Sequence, residues 1–122
     1  MYLITKIFKF DSAHNLTDYK GLCENLHGHT YTLEVTLEGE KKSNGMAIDF
    51  NIIKKIVQTE IIEIIDHKYI NNILPVSTAE NIAEWIWNKL SSKFDEYGVR
   101  LFEIKIHEGI NSKISYRGGN VF

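Results

Sequence analysis

The sequence holds a single cysteine and a single proline in 122 residues. One thiol cannot close an internal disulfide, which excludes a small secreted scaffold stapled by bridges and makes a reducing, cytoplasmic setting the expectation. With 1 proline and 8 glycines there is no low-complexity linker, and no internal repeat is found. A basic excess is also missing: 14 Lys+Arg stand against 16 Asp+Glu, for a formal charge of −2. Binding to nucleic acid or to a membrane surface needs positive charge, so neither partner is expected. No apolar run is long enough to span a bilayer. The first ten residues alternate, with Lys6 and Lys9 inside the run, and read as a strand rather than a signal peptide. What the chain does have is 43% hydrophobic residues at 14.1 kDa, enough for one domain (1–122) with a real core.

Tyr2 to His14 is rich in β-branched and aromatic residues and reads as a strand. From His29 to Glu38 the alternation is clean, with Tyr31, Leu33, Val35 and Leu37 on one face and Thr32, Glu34, Thr36 and Glu38 on the other. Lys41–Gly45 supplies a polar turn. Asp49 caps a helix whose stripe is Ile53, Ile56, Val57, Ile61, Ile64 and Ile65, ending near Asp66–His67. After a loop at Asn71–Val76, Ser77-Thr78-Ala79-Glu80 has capping-box spacing. The second helix carries Ala79, Ile82, Ala83, Ile86, Leu90 and Phe94 inward. Val99–Glu108 alternates again, with Phe102, Ile104 and Ile106 on the apolar face, and a last strand runs through Ile114 and Tyr116. The order is ββααββ, an α+β fold with a four-stranded antiparallel sheet and both helices on one face.

Of the five histidines, His27 and His29 lie two apart in an extended segment. Their side chains leave the same face, roughly 6–7 Å apart at the backbone, and can lean onto one ion. His14 ends the preceding strand on the parity of Phe8, Phe10 and Ser12, so hairpin pairing brings it to the other two. Three imidazoles without an obvious fourth ligand suit a catalytic zinc with an open position. Ordinary packing of the His-x-His pair is the plain alternative. Glu108 falls on the apolar face, where a lone carboxylate is costly. It awaits a ligand's donors or forms an ion pair in the core. His107 has solvent-face parity and reads as an ordinary exposed histidine. Cys23, four residues before His27, is open to three readings: a fourth zinc ligand, a metal-assisted thiolate, or an inert buried thiol. Asp66–His67 reads as a polar helix end.

The ordered set Phe10-Asp11-Ser12-Ala13-His14, Cys23-x-x-x-His27-Gly28-His29, Ile48-Asp49-Phe50, Asp66-His67, Thr78-Ala79-Glu80-Asn81, Trp85-Ile86-Trp87, Glu108 and Tyr116-Arg117-Gly118 resembles the 6-pyruvoyl-tetrahydropterin synthase / 6-carboxy-tetrahydropterin synthase family. The resemblance implies the tunnelling fold, whose sheets join those of neighbouring copies into a barrel, and hence a homo-oligomer such as a hexamer. It implies zinc on His14, His27 and His29, catalysis by Cys23 and the Asp66–His67 pair, and a pterin-anchoring carboxylate at Glu108. Thr78 to Glu80 resembles the family's second pterin-contacting stretch, so Glu80 has two candidate roles, with helix cap the main one. The Cys-x₃-His spacing is similar to the bacterial 6-carboxy branch, which acts on 7,8-dihydroneopterin triphosphate on the route to queuosine. The 6-pyruvoyl reaction is the alternative. Glu24, directly after Cys23, is similar to a glutamate used by a folate-related branch that cleaves dihydroneopterin side chains.

Two other classes compete. Gly21, His27, His29, Glu34 and Gly39 nearly reproduce a first cupin motif, but the second motif is missing and two central helices do not belong in a jelly roll. A non-catalytic module with Cys23 closing a structural zinc site is the other. Arg117 and several lysines are candidates for phosphate, but no spacing singles one out.

Overall fold

The computed structural model describes residues 1–14 and 27–119, with His27 described by its backbone alone; Cys23 and Glu24 lie outside this range. β1 (Tyr2–His14) and β2 (His27–Gly39) form a long antiparallel hairpin that stays in register over thirteen residues on each strand. Inward β-branched and aromatic side chains specify that register, because a slip of one residue would turn every one of them to solvent. The pairing sets Ser12 opposite His29 and His14 opposite His27.

Asp49 caps α1 (Phe50–Val57), its carboxylate accepting from the Asn51 N–H at 2.8 Å. The helix does not then continue regularly. Gln58–Ile62 is a π-helical stretch, and α2 (Glu63–Ile65) completes the run. A π turn takes up one extra residue. It rotates the stripe so that Ile62 is buried where the regular helical period predicts Ile64. β3 (Lys68–Tyr69) follows at once and pairs in parallel with Ser12–Ala13 of β1. A turn of 3₁₀ helix at Ile70–Asn72 leads to the loop around Pro75 and then to α3 (Ala79–Leu90), β4 (Arg100–Glu108) and β5 (Ser112–Tyr116).

The sheet is therefore mixed and five-stranded, in the order β3-β1-β2-β4-β5, rather than four-stranded and antiparallel. β3 was not legible as a strand because two residues cannot show an alternation. The capping register also differs from expectation. Thr78, not Ser77, is the N-cap of α3, accepting from the Asn81 N–H at 3.2 Å. That places Glu80 at the second helical position, one short of the capping-box place, and it is exposed. A bulge opposite Thr36–Leu37 brings Leu101, in place of Phe102, across from Leu37. Phe102 instead lies under the Arg117 guanidinium, 4.9 Å from ring centre to carbon.

The core lies between the helices and one sheet face. Tyr31, Leu33, Val35, Leu37, Ile104 and Ile106 from the sheet meet Ile53, Val57, Ile61, Ile82, Ile86 and Leu90 from the helical side, all fully buried. Each such aliphatic side chain contributes about 1.5–3 kcal/mol on burial. The opposite face is polar and cross-linked: the Thr5 and Thr36 hydroxyls are 2.7 Å apart, and Arg117 donates to Glu103 at 2.8 Å. His107 belongs here, as its parity requires. It is three-quarters covered and bonded to Glu34 at 2.6 Å, and so is not the ordinary exposed histidine expected. Among the described residues, no helix is long and apolar enough to cross a membrane.

Candidate active site

The inward parity of β1 delivers His14, the last residue of the strand, to the sheet end at 2% exposure. Its ring is fixed from behind. Nδ1 lies 3.0 Å from the Ser77 carbonyl oxygen and 3.2 Å from the Ser77 hydroxyl. A carbonyl oxygen can only accept, so Nδ1 carries the hydrogen and Nε2 is the ring's acceptor nitrogen. Ser77 is itself fully buried and donates to Asn71 Oδ1 at 3.2 Å. Nε2 faces Glu108, whose Oε1 is 4.0 Å away.

His29 stands across the hairpin, its ring centre 5.1 Å from that of His14 and its plane at 71°. Ligand atoms of His14, His29 and Glu108 all fall within 4.8 Å of one another. His27 is placed by the ladder directly opposite His14. Two of the three expected metal-binding rings thus come together, and the third is brought alongside by its backbone. The set fits zinc: two imidazoles, at least one with its lone pair directed by a partner on the other nitrogen, beside a carboxylate.

Tyr31 lies beneath this cluster, fully buried. Its ring stacks on Phe10 at 5.0 Å and meets His14 and His29 edge-on at 6.1 and 5.6 Å. Burial, and then the neighbouring Glu108 carboxylate, hold its phenol well above the usual range, so it stays protonated. No hydrogen bond to that hydroxyl is formed among the described residues.

A cavity of about 260 Å³ opens in front of His14 and Glu108, walled also by Thr78, Glu80, Ile106 and Lys113. The residues expected to hold a flat, donor-bearing ligand therefore share one space. Asp66 and His67 do not line it. His67 lines an open depression of about 540 Å³ that shares His29 with the histidine cluster. Beside it, Asp66 Oδ1 accepts from the Asp11 N–H at 2.9 Å and lies 3.1 Å from His67 Nδ1. The Asp11 N–H, and to a lesser degree His67, hold the Asp66 carboxyl below its ordinary range. His67 adopts a left-handed backbone, φ 58°, which costs a residue with a Cβ and is retained where surrounding contacts fix it. One such contact is its N–H to the Asp11 carbonyl at 2.6 Å. Thr30 donates to the Asp11 carboxylate at 2.6 Å and completes the group.

Sequence reasoning assigned no site role to Asp11, Thr30 or Asn71, read Ser77 as a helix cap, and placed Tyr31 in the core alone. Only Tyr31 left a signal: a hydroxyl on the inward parity of two histidines.

A family model for 6-pyruvoyl tetrahydropterin synthase matches residues 3–119. The chain belongs to that family. A 6-carboxy-5,6,7,8-tetrahydropterin synthase of Haemophilus influenzae is 36% identical over 133 residues, covering 84% of this chain and 93% of that protein. A dihydroneopterin monophosphate aldolase of Pyrococcus furiosus is 39% identical over 100 residues, covering 82% and 83%. The structure of Caenorhabditis elegans 6-pyruvoyl tetrahydropterin synthase superposes with a TM-score of 0.86 at 26% identity, over 97% of this chain and 96% of that one. The tetrahydropterin synthase family is enzymatic, and the architecture described above is its fold.

Proposed function

We propose that the chain is a zinc-dependent carbon–carbon lyase that converts 7,8-dihydroneopterin triphosphate and one water to 6-carboxy-5,6,7,8-tetrahydropterin, releasing acetaldehyde and triphosphate, in queuosine and deazapurine synthesis. The observation that carries this reading is the convergence of His14, His29 and Glu108, two of which, His14 and Glu108, wall a cavity of about 260 Å³.

A dihydropterin presents adjacent N–H donors along one edge. The half-buried Glu108 carboxylate accepts two of them, and a ligand without them leaves that carboxylate unpaired. Thr78 and Glu80 on the cavity wall complete the pterin's surroundings. His14, His27 and His29 would hold zinc, which when bound would supply Lewis-acid polarisation of side-chain hydroxyls. Cys23, as thiolate, takes the proton from the side-chain carbon next to the ring, and the Asp66–His67 pair moves protons on the other side. Each positioned acid or base is worth about 10²–10⁴-fold. Because His67 and Glu108 line separate depressions of one chain, the complete site forms in this reading within a homo-oligomer, which sedimentation of the purified protein tests.

The 6-carboxy product is favoured by the three-residue spacing between Cys23 and His27. The 6-pyruvoyl reaction and side-chain cleavage by the folate-type route, for which Glu24 is the candidate residue, are the competing outcomes. Incubation with 7,8-dihydroneopterin triphosphate and mass identification of the products decides among them. Acetaldehyde with a 6-carboxy pterin supports the proposal; a 6-pyruvoyl or a 6-hydroxymethyl pterin replaces it with the corresponding alternative.

A further inference from the structure

Tyr31 is more polar than its surroundings require. Phe10, His14 and His29 account for the placement of its ring, and a phenylalanine would fill the same volume. The hydroxyl is fully buried and has no hydrogen-bond partner among the described residues, an arrangement that costs stability and calls for a reason. The acceptor nearest in the architecture is Glu108, which lies directly opposite Tyr31 in the β2–β4 ladder and on the same face.

We propose that Tyr31 is the positioning residue for Glu108: its hydroxyl donates to the carboxylate when that carboxylate engages a ligand's paired N–H donors, fixing its plane and tightening the grip. A carboxylate has about four lone-pair positions. Two serve the ligand edge, which leaves room for a third donor from the protein side. The phenol is suited to this because it is a neutral donor at neutral pH and its ring is locked by packing. Glu108, by contrast, projects into the cavity with its side chain 30% exposed and has room to turn. Glu108 already lies near enough to raise the phenol's pKa without a well-formed hydrogen bond to it; the bond closes in the complex, so it contributes chiefly to affinity.

This inference rests on the reading of Glu108 as the pterin anchor, and its test separates the two. The zinc-loaded wild type, Tyr31→Phe and Glu108→Gln are titrated with 7,8-dihydroneopterin by fluorescence. Their melting temperatures and zinc affinities are measured alongside, as are kcat and KM for whichever product the wild type makes. The expected result is a Tyr31→Phe protein that melts no lower than wild type, binds zinc equally well and keeps kcat within about twofold, yet has Kd and KM raised about tenfold, the scale of a hydrogen bond to a charged group. If Glu108→Gln weakens binding while Tyr31→Phe binds as wild type, the positioning role falls and the anchor stands. If Tyr31→Phe loses zinc affinity, the hydroxyl serves the metal and the proposal is overturned. If it melts several degrees lower, the hydroxyl is structural and the proposal is likewise overturned. If Glu108→Gln binds as tightly as wild type, the anchor reading itself fails.

Discussion

At the scale of single residues, the site is defined by what stands behind it. His14 is aimed by a carbonyl oxygen on its Nδ1, and the Ser77 segment offering that oxygen is held by Asn71, which also donates to the Pro75 carbonyl at 2.9 Å. Losing such a support commonly weakens metal binding 10–100-fold. Asn71→Ala is therefore expected to lower zinc affinity about tenfold with the hairpin intact, as read by competition with a chromogenic chelator; unchanged affinity would remove Asn71 from the site. Asp66 makes a different prediction. Its carboxyl is held below the ordinary value of about 3.9, chiefly by the Asp11 N–H. Its contribution to stability is thus full above that value and is lost as pH falls through the lower, folded-state value. Thermal melts should show Asp66→Ala less stable than wild type near neutrality, with the gap closing below about pH 4. A gap constant with pH would mean that the carboxylate charge does not matter.

The elements explain how far the sequence could be read. Strands β1, β2 and β4 and helix α3 carry strong periodicities and were legible, as was the β1–β2 hairpin. The exceptions are local insertions. The π stretch at Gln58–Ile62 and the bulge beside Phe102 each shift a repeat by one residue, and a pattern of period 3.6 or 2 has no means of announcing the shift. The cap of α3 was off by one for a related reason, since Ser77 and Thr78 are both competent caps and only the Ser77–His14 contact removes Ser77 from the role. Thr78→Ala is expected to cost about 1 kcal/mol, with Thr78→Ser close to wild type in chemical denaturation. Glu80→Gln should leave stability unchanged, because Glu80 is not in the box position. A raised KM in that variant would then report contact with the ligand rather than a loosened helix.

Across the whole molecule, a hydrophobic face of the sheet buries against the helices while the site opens at the end of the hairpin, where strands of different sequence separation meet. Motif order pointed to His14, His29 and Glu108, which the fold brings together, because each lies on an element with clear parity. The supporting residues Asp11, Thr30, Asn71 and Ser77 were not legible as such, because their partners are up to 63 residues away and chosen by the tertiary fold. In the proposed reading, a Cys23 variant separates a catalytic from a structural zinc. Cys23→Ala should retain about one zinc per chain, as a three-histidine site requires, while turnover is abolished; loss of the metal would make the cysteine its fourth ligand. Two clusters of metal-capable side chains exist among the described residues, His14 with His29 and Glu108, and Asp11 with Asp66 and His67. In the proposed reading the ion belongs to the first. Anomalous diffraction at the zinc edge, on crystals of the protein as purified, tests this most directly. A single peak within bonding distance of His14 Nε2 and of the His29 ring is the predicted result; a peak at Asp11, Asp66 and His67, or none in a fully active sample, would contradict it.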